Sequence, residues 1–346
     1  MATVWQLVDS STLGGIERHI EMLATGLIRV GYPCKVVLYD NHGDNPWFHQ
    51  LDAAGIPYIV LNGGVRNLTR AIRRHRPGLI HTHGYKAGIL GRAVARLCAA
   101  PVVSTFHSGE RAAFPVSLYQ SLDEMSAFLA PAIAVSEPIL TRLPKSAEII
   151  HNFVTMPTAH TDLARIQRRI GFVGRFSHEK GPDRFALLAG MLHDAPDLEA
   201  TTWHAFGDGP MRAAIESASQ GLLSCHGLQT DMTPIWPMLD LLVMPSRAEG
   251  LPLAALEAHA HGIPVVAARC GALPDVIEHG RTGWLFDPDD LEAAAAAILK
   301  WAGLDAETRH AMFDACRKNA RERYAVEARL PQILDVYRRS GLAEAA

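Results

Sequence analysis

Leu241-Leu242-Val243-Met244-Pro245-Ser246-Arg247-Ala248-Glu249-Gly250-Leu251-Pro252-Leu253-Ala254-Ala255-Leu256-Glu257 is the stretch that decides the fold. Its first four residues, all apolar, fit a short buried strand. Pro245 through Ala248 interrupt that run as a loop. Gly250 and Pro252 then open a helix of strong helix formers, predicted over Pro252–His261. Glu249 therefore falls in a strand-to-helix loop, and Glu257 about a turn and a half into the helix. Between them lie the unpaired N–H groups of a positive helix end, which suits an anion. An acid on each side of an anion site can accept from hydroxyls that flank a phosphate. A nucleotide sugar has that order: ribose hydroxyls, a diphosphate, sugar hydroxyls.

The same strand–loop–helix unit recurs along the chain. In the first half, strands are predicted at Val4–Val8, Lys35–Tyr39, Tyr58–Leu61, Leu79–Thr82, Val102–Phe106, Ala132–Val135 and Ile149–Ile150. Helices are predicted there at Gly15–Arg29, Leu68–Arg76 and Lys86–Cys98. The second half restarts after Thr155–Asp162, with strands at Arg169–Val173, Thr201–Phe206, Leu223–His226, Leu241–Met244, Val265–Ala267 and Gly283–Phe286. Helices are predicted at Asp183–Leu192, Met211–Gln220, Leu291–Trp301, Glu307–Arg323 and Ala325–Gly341. Alternation of this kind implies α/β architecture with parallel sheets. The expected organisation is a Rossmann-like domain over 1–155, a second over 156–324, and a C-terminal helix over 325–346 packed back on the first. Ligands of such domains bind at strand C-termini, so a cleft between the two is expected.

The 346 residues, 48% of them hydrophobic, suffice for two cores. No apolar run reaches the length of a membrane-spanning helix. The N-terminus reads as a first strand rather than a signal peptide. Five scattered cysteines without a Cys-x-x-Cys pair (Cys34, Cys98, Cys225, Cys270, Cys316) point to a reducing cytoplasm and away from structural zinc. The net charge of −3 conceals an asymmetry. No acid occurs from Ala53 to Gly109, a span that holds Arg66, Arg70, Arg73, Arg74, Arg76, Lys86, Arg92 and Arg96. Such a span is either a solvated face or an attractor of anionic surfaces.

Glycine-bearing loops follow successive strands. Gly14-Gly15 follows the first strand but is not part of a Gly-x-Gly-x-x-Gly fingerprint; a tight turn or a phosphate contact would explain it. Gly171-Phe172-Val173-Gly174-Arg175 leads to Lys180-Gly181, placing two cations just past a strand end. A guanidinium and an ammonium there can hold a diphosphate, or can be solvated loop charges. Gly207-Asp208-Gly209-Pro210 and His226-Gly227-Leu228 follow the next two strands.

Taken together, these segments resemble the family-4 retaining glycosyltransferases of the GT-B fold. Gly14-Gly15-Ile16-Glu17, Val173-Gly174-Arg175 with Lys180-Gly181, Gly207-Asp208-Gly209-Pro210, His226-Gly227 and the paired glutamates stand in that family's order. Pro274-Asp275-Val276-Ile277 with Gly280, Thr282-Gly283 and Asp289 matches its late segment. The resemblance implies catalytic roles for Arg175, Lys180, Glu249 and His107. Arg175 and Lys180 would neutralise the departing diphosphate, and Glu249 would hold hydroxyls of the transferred sugar. Glu257 would accept from the ribose. Gly14, Gly15, Gly207, Gly209, Gly227, Leu228, Gly250 and Leu251 would line the donor. His107 would stand beside the donor sugar, with His83 a candidate on the acceptor side. One segment departs from the family: His151-Asn152-Phe153-Val154-Thr155 replaces its usual Asn-Gly-Val-Asp, which bears on hinge geometry.

The implied activity is retaining transfer of a hexosyl unit from a nucleoside-diphosphate sugar to a hydroxyl, in bacterial polysaccharide, lipopolysaccharide or glycolipid biosynthesis. The leaving phosphate would help take the acceptor proton. The expected partners are the nucleotide sugar, a glycan or lipid-linked glycan acceptor and an anionic membrane surface, with no nucleic acid. The expected location is the cytoplasm, peripheral at the inner face of the plasma membrane. No cofactor or metal is expected, although Asp287-Pro288-Asp289 imitates an Asp-x-Asp metal motif. Three alternatives stay open. They are a nucleotide-sugar epimerase or hydrolase of the same fold, a phosphorylase using one of Lys180, Lys300 or Lys318, and a non-catalytic nucleotide-sugar-binding protein.

Overall fold

A computed structural model describes residues 2–107, 115–158 and 168–343. The chain divides into two compact units: Met1–Phe153 with Val326–Ala346, and Val154–Ala325. Each is built on one wholly parallel sheet, and the fold is that of a two-domain α/β protein.

The N-terminal unit runs β1 (Val4–Val8), α1 (Gly15–Arg29), β2 (Cys34–Leu38), α2 (Trp47–Ala53), β3 (Tyr58–Val60), α3 (Val65–His75) and β4 (Leu79–His83). It continues through α4 (Tyr85–Leu97), β5 (Val102–Phe106), α5 (Val116–Met125), β6 (Ala132–Ala134), α6 (Glu137–Leu140) and β7 (Glu148–Ile149). The strand order β3-β2-β1-β4-β5-β6-β7 reverses beside β1. A doubly wound sheet places its ligands at such a switch point, outside the strand carboxyl ends. Burial on both faces of β1 explains why every residue of the strand except Gln6 is apolar.

The C-terminal unit runs β8 (Arg169–Val173), α7 (Pro182–Met191), β9 (Thr202–Phe206), α8 (Arg212–Ala218), β10 (Leu223–Cys225), β11 (Leu241–Met244) and α9 (Leu253–Ala260). Then come β12 (Val265–Ala268), α10 (Leu273–Val276), β13 (Gly283–Phe286), α11 (Leu291–Ala302) and α12 (Ala306–Asn319). Its strand order β10-β9-β8-β11-β12-β13 reverses between β8 and β11. The loops after those two strands therefore emerge side by side.

The last helix, α13 (Val326–Arg339), belongs to the N-terminal unit. Leu330, Ile333, Leu334 and Tyr337 are buried along one stripe and join the core that α1 covers. Gly26 permits that approach, since a β-carbon there would lie 2.8 Å from Val326 Cγ1. On the other sheet face, α3 and α4 pack over Trp5, Leu7 and Ile80, and α5 lies beside α4.

Four short helices are absent from the sequence expectations: α2, α5, α6 and α10. The α5 pattern misleads because it is reversed, with Leu118, Leu122 and Met125 exposed and Asp123 buried. The helix expected over Glu307–Arg323 ends at Asn319 and gives way to a wider π-type turn, Ala320–Tyr324. There the Tyr324 hydroxyl donates to the Asp275 carbonyl at 2.8 Å. Where the chain passes between units, Val154 and Ala325 form a parallel bridge.

Candidate active site

In the C-terminal unit, the loop after β8 and the loop after β11 are bound to each other by charge. Lys180 Nζ donates to Glu249 Oε2 at 2.6 Å, and Ser246 Oγ donates to Glu249 Oε1 at 2.8 Å. The Glu249 side chain is only 2% exposed while that of Lys180 is 28% exposed. A carboxylate so buried needs both partners, because an uncompensated buried charge is strongly destabilising. Arg247 braces the same junction: Nη1 donates to the His178 carbonyl at 2.7 Å, and its two Nη groups grip the Asp183 carboxylate at 2.9 and 2.5 Å. That bidentate pair holds the Asp183 carboxyl below its ordinary range.

Backbone packing explains the glycines. Gly181 has φ +70°, and a β-carbon there would lie 2.4 Å from the Pro245 carbonyl oxygen. Gly207 lies against the Gly174 carbonyl, its own N–H donating to the Gly227 carbonyl at 2.8 Å. The Gly209 N–H donates to Asp208 Oδ1 at 2.7 Å. Both amides are thus engaged inside the protein. Of the other sequence candidates here, Arg175 and Leu228 are exposed, Leu251 is buried, and Gly250 accepts from the Ala272 N–H at 2.8 Å.

Pro252 caps α9, so Glu257 is the fifth residue of that helix. Its Oε2 accepts from Trp236 Nε1 at 3.1 Å. The first-turn N–H groups of α9, which lack intrahelical acceptors, lie between Glu249 and Glu257 in the chain. The arrangement can bind an anion at the helix end, supply a partly exposed ammonium beside it, and accept hydroxyls at two carboxylates.

In the N-terminal unit, Gly14 caps α1 in an extended conformation and Gly15 is the first helical residue. Glu17 beside them is buried, which raises its carboxyl above the usual range. His107, at the end of β5, meets His83 from the end of β4, with His107 Nε2 and His83 Nδ1 3.0 Å apart. His83 Nε2 is 2.8 Å from Gln6 Oε1. Since an amide oxygen only accepts, His83 Nε2–H donates there and His83 Nδ1 accepts from His107 Nε2–H. Burial drives His107 down to about 4, His81 to about 3, and His83 and His19 well below the usual imidazole value. All four are neutral at neutral pH. Ligand atoms of His19, His83 and His107 lie within 4.8 Å of one another and could meet a cation. The His83–His107 hydrogen bond already satisfies that geometry. A recess beside His107 is lined by Tyr85, Gln120, Asp123, Glu124 and Arg142.

Asp289 of the Asp-x-Asp segment pairs with Arg184 at 2.9 Å, and Asp287 is 82% exposed with Arg269 at 3.9 Å. Sequence reasoning missed Ser246, Trp236, Gln6 and Tyr337. Ser246 and Trp236 orient the two glutamates. Gln6 Nε2 reaches the Tyr337 hydroxyl at 3.3 Å, linking the histidines to α13. A polar residue inside the apolar run of β1 was the one available signal.

Residues 13–158 match the family model described as Glycosyltransferase Family 4, and residues 167–303 the one described as Glycosyl transferases group 1. The chain belongs to this family of GT-B glycosyltransferases. It is 27% identical over 287 residues to the sulfoquinovosyl transferase of Arabidopsis thaliana, a match spanning 73% of this chain and 55% of that protein. It is 24% identical over 303 residues, 78% of each chain, to an Escherichia coli UDP-Gal:alpha-D-GlcNAc-diphosphoundecaprenol alpha-1,3-galactosyltransferase. Among solved structures, Anabaena HepE in complex with UDP-glucose shares the fold with a TM-score of 0.81 at 19% identity, covering 98% of this chain and 100% of that one. The family's two domain models meet this chain on either side of 159–166, close to where its units divide.

Proposed function

We propose that this glycosyltransferase moves a hexosyl unit from a UDP-sugar to an acceptor hydroxyl with retention of anomeric configuration. The observation that carries the reading is the Lys180–Glu249–Ser246 cluster at the switch point of the C-terminal sheet, beside the N-terminus of α9. Departure of the nucleotide builds negative charge on its diphosphate. Lys180, Arg175 and the α9 amides stabilise that charge without reorganising, and preorganised groups of this kind supply most of the rate enhancement in many enzymes. Glu257 accepts from the ribose, held in place by Trp236. Glu249 accepts from the sugar. Both carboxylates are thereby occupied by hydroxyls, so the leaving phosphate takes the acceptor proton on the same face. His107 and the Gly14–Gly15 turn are the N-terminal unit's share of the chemistry. HepE has been solved with UDP-glucose, and the E. coli relative takes UDP-Gal, which favours uridine as the base.

The reaction needs no metal where cations and helix amides carry the diphosphate. The acceptor is a glycan or lipid-linked glycan met at an anionic leaflet, as the E. coli relative's diphosphoundecaprenol substrate suggests by analogy. Thermal denaturation with UDP, UDP-glucose and UDP-galactose tests the donor, because a ligand that binds the native state raises its midpoint by mass action. Proton NMR of the glycosylated product then reads the anomeric configuration. A shift with none of the three overturns the donor assignment, an inverted product overturns retention, and rapid epimerisation of donor without acceptor favours the epimerase alternative.

A further inference from the structure

Neither ring nitrogen of His19 has a hydrogen-bond partner among the described residues, although this α1 residue is only 3% exposed. Its neighbours are rings: Phe153 at 4.5 Å, His107 at 4.7 Å and His83 at 5.6 Å between centroids. The Asn152 side chain lies close enough to favour the charged ring, but burial outweighs it. A neutral imidazole carries one donor and one acceptor, so both are left unmatched here. Buried polar groups are nearly always satisfied, and an orphan marks a functional demand, an ordered water or an ion.

The surroundings fit an ion. One ligand nitrogen each from His19, His83 and His107 lie within 4.8 Å of one another. Tetrahedral zinc, at about 2.0–2.1 Å from each imidazole nitrogen, sets its ligand nitrogens about 3.3 Å apart. His83 Nδ1 and His107 Nε2 already stand at 3.0 Å, so His19 is the ring that has to close in. A ligating histidine ordinarily donates its other N–H to an oxygen that fixes the ring, as His83 Nε2 does to Gln6 Oε1 at 2.8 Å. Burial keeps all three rings in the neutral form that ligates. Their mutual hydrogen bond accounts for His83 and His107 without a metal; it does not account for His19. His107 is partly exposed and lines the recess, which gives an ion access. Three imidazoles with no carboxylate or thiolate favour zinc, cobalt, nickel or copper over magnesium, calcium or manganese.

We propose that His19, His83 and His107 form a three-imidazole site for zinc, its fourth position open to water or another small ligand. The ion takes the place of the proton between His107 Nε2 and His83 Nδ1. That proton moves to His107 Nδ1, so none is released. His107 Nδ1 thereby turns from acceptor to donor. Where that nitrogen accepts from a hydroxyl of the sugar donor, bound zinc inhibits transfer; this consequence rests on the glycosyl-transfer reading, and the site does not.

Titration of cobalt into the chelator-stripped full chain tests the site, because cobalt held by imidazoles absorbs in the visible. A single equivalent should bind, zinc should displace it, and magnesium should not. His19→Phe, which keeps an aromatic ring against Phe153, should abolish the signal. Gln6→Leu should weaken zinc binding about ten- to a hundredfold, the scale set by groups that orient metal ligands. Cooperative urea unfolding certifies the variants as folded, and His19→Gln takes the place of a phenylalanine variant that is not. His204→Gln breaks the surface pair of His204 and His226, whose nitrogens are 3.0 Å apart, and should leave the signal intact. No cobalt signal in the parent, or one that survives loss of His19, overturns the site. A signal lost in His204→Gln instead assigns the metal to that pair and also overturns it. Zinc should slow transfer in the parent more than in the His19 variant, and equal slowing removes the inhibition. Cobalt binding in a parent that binds no UDP-sugar supports the site and sinks the donor reading.

Discussion

The two sheets of this glycosyltransferase end in different mixtures of charged and neutral side chains. At the C-terminal switch point, full charges are paired across loops: Lys180 with Glu249, and Arg247 with Asp183. The N-terminal unit keeps one such pair at its switch point, Lys86 with Asp9 at 2.9 Å, and beside it, at the ends of β4 and β5, gathers histidines that burial keeps neutral, ordered by Gln6 and Tyr337. The first arrangement suits a ligand whose charge changes during reaction. The second suits neutral hydroxyls, since hydrogen bonds with fixed donors and acceptors select them without supplying charge. In our reading, the same topology serves a charged diphosphate in one unit and neutral hydroxyls in the other.

The sharpest way to break that contrast is to remove the ammonium. Lys180→Ala should lower transfer at least a hundredfold, the scale seen when one preorganised charge-stabilising group is lost. Wild-type turnover in that variant would remove the proposed role. It also leaves Glu249 short of a partner, so Lys180→Ala/Glu249→Gln should recover folding stability without recovering activity.

Acid should strike both units, through His81 and His107 in the N-terminal one and through His259 and His261, each lowered to about 4 by burial, in the C-terminal one. His107 and His81 have folded values of about 4 and 3, below the roughly 6.5 of the unfolded chain. Their stabilisation is complete above pH 6.5 and is lost as pH falls toward the folded values, because the unfolded state binds the additional protons. At pH 5 the loss is about 2 kcal/mol per histidine. Urea unfolding at pH 7 and pH 5 measures it, and His81→Gln should reduce the difference by one histidine's share. An unchanged midpoint would mean that these imidazoles are not buried neutral.

Smaller effects sharpen the donor side. Trp236→Phe removes the indole donor to Glu257 and should weaken UDP binding by about two- to tenfold, the worth of one hydrogen bond. Asp289→Asn should leave activity unchanged and insensitive to chelator, because that carboxylate pairs with Arg184. Chelator-sensitive turnover would contradict a metal-free mechanism.

The parallel sheets and most helices were legible because their signals are local. Buried parallel strands are continuous apolar runs, as in Leu241–Met244, and α13 showed its stripe directly. Most element ends moved by a residue or two, since hydrogen bonding rather than composition fixes them, but the start of α3 moved from Leu68 to Val65 and the end of α12 from Arg323 to Asn319. What stayed hidden depends on partners distant in sequence. Ser246 and Trp236 acquire meaning only when β11 brings the glutamates beside them, and the Gln6–His83–His107 chain joins residues from three strands. The exposed stripe of α5 escaped because helical periodicity does not say which side faces in. Gly207 and Gly209 could be read from sequence as loop glycines, but not the packing against Gly174 and Phe176 that requires them.

The central claim is that the C-terminal unit grips a uridine diphosphate sugar between Glu249 and Glu257, with Lys180 beside the diphosphate. Calorimetric titration of UDP into the wild type and Glu257→Ala tests it most directly. Loss of charge-assisted bonds to the ribose costs about 1.5–3 kcal/mol, so affinity should fall roughly ten- to a hundredfold. Equal affinity in the two proteins, with both folded, would contradict the account.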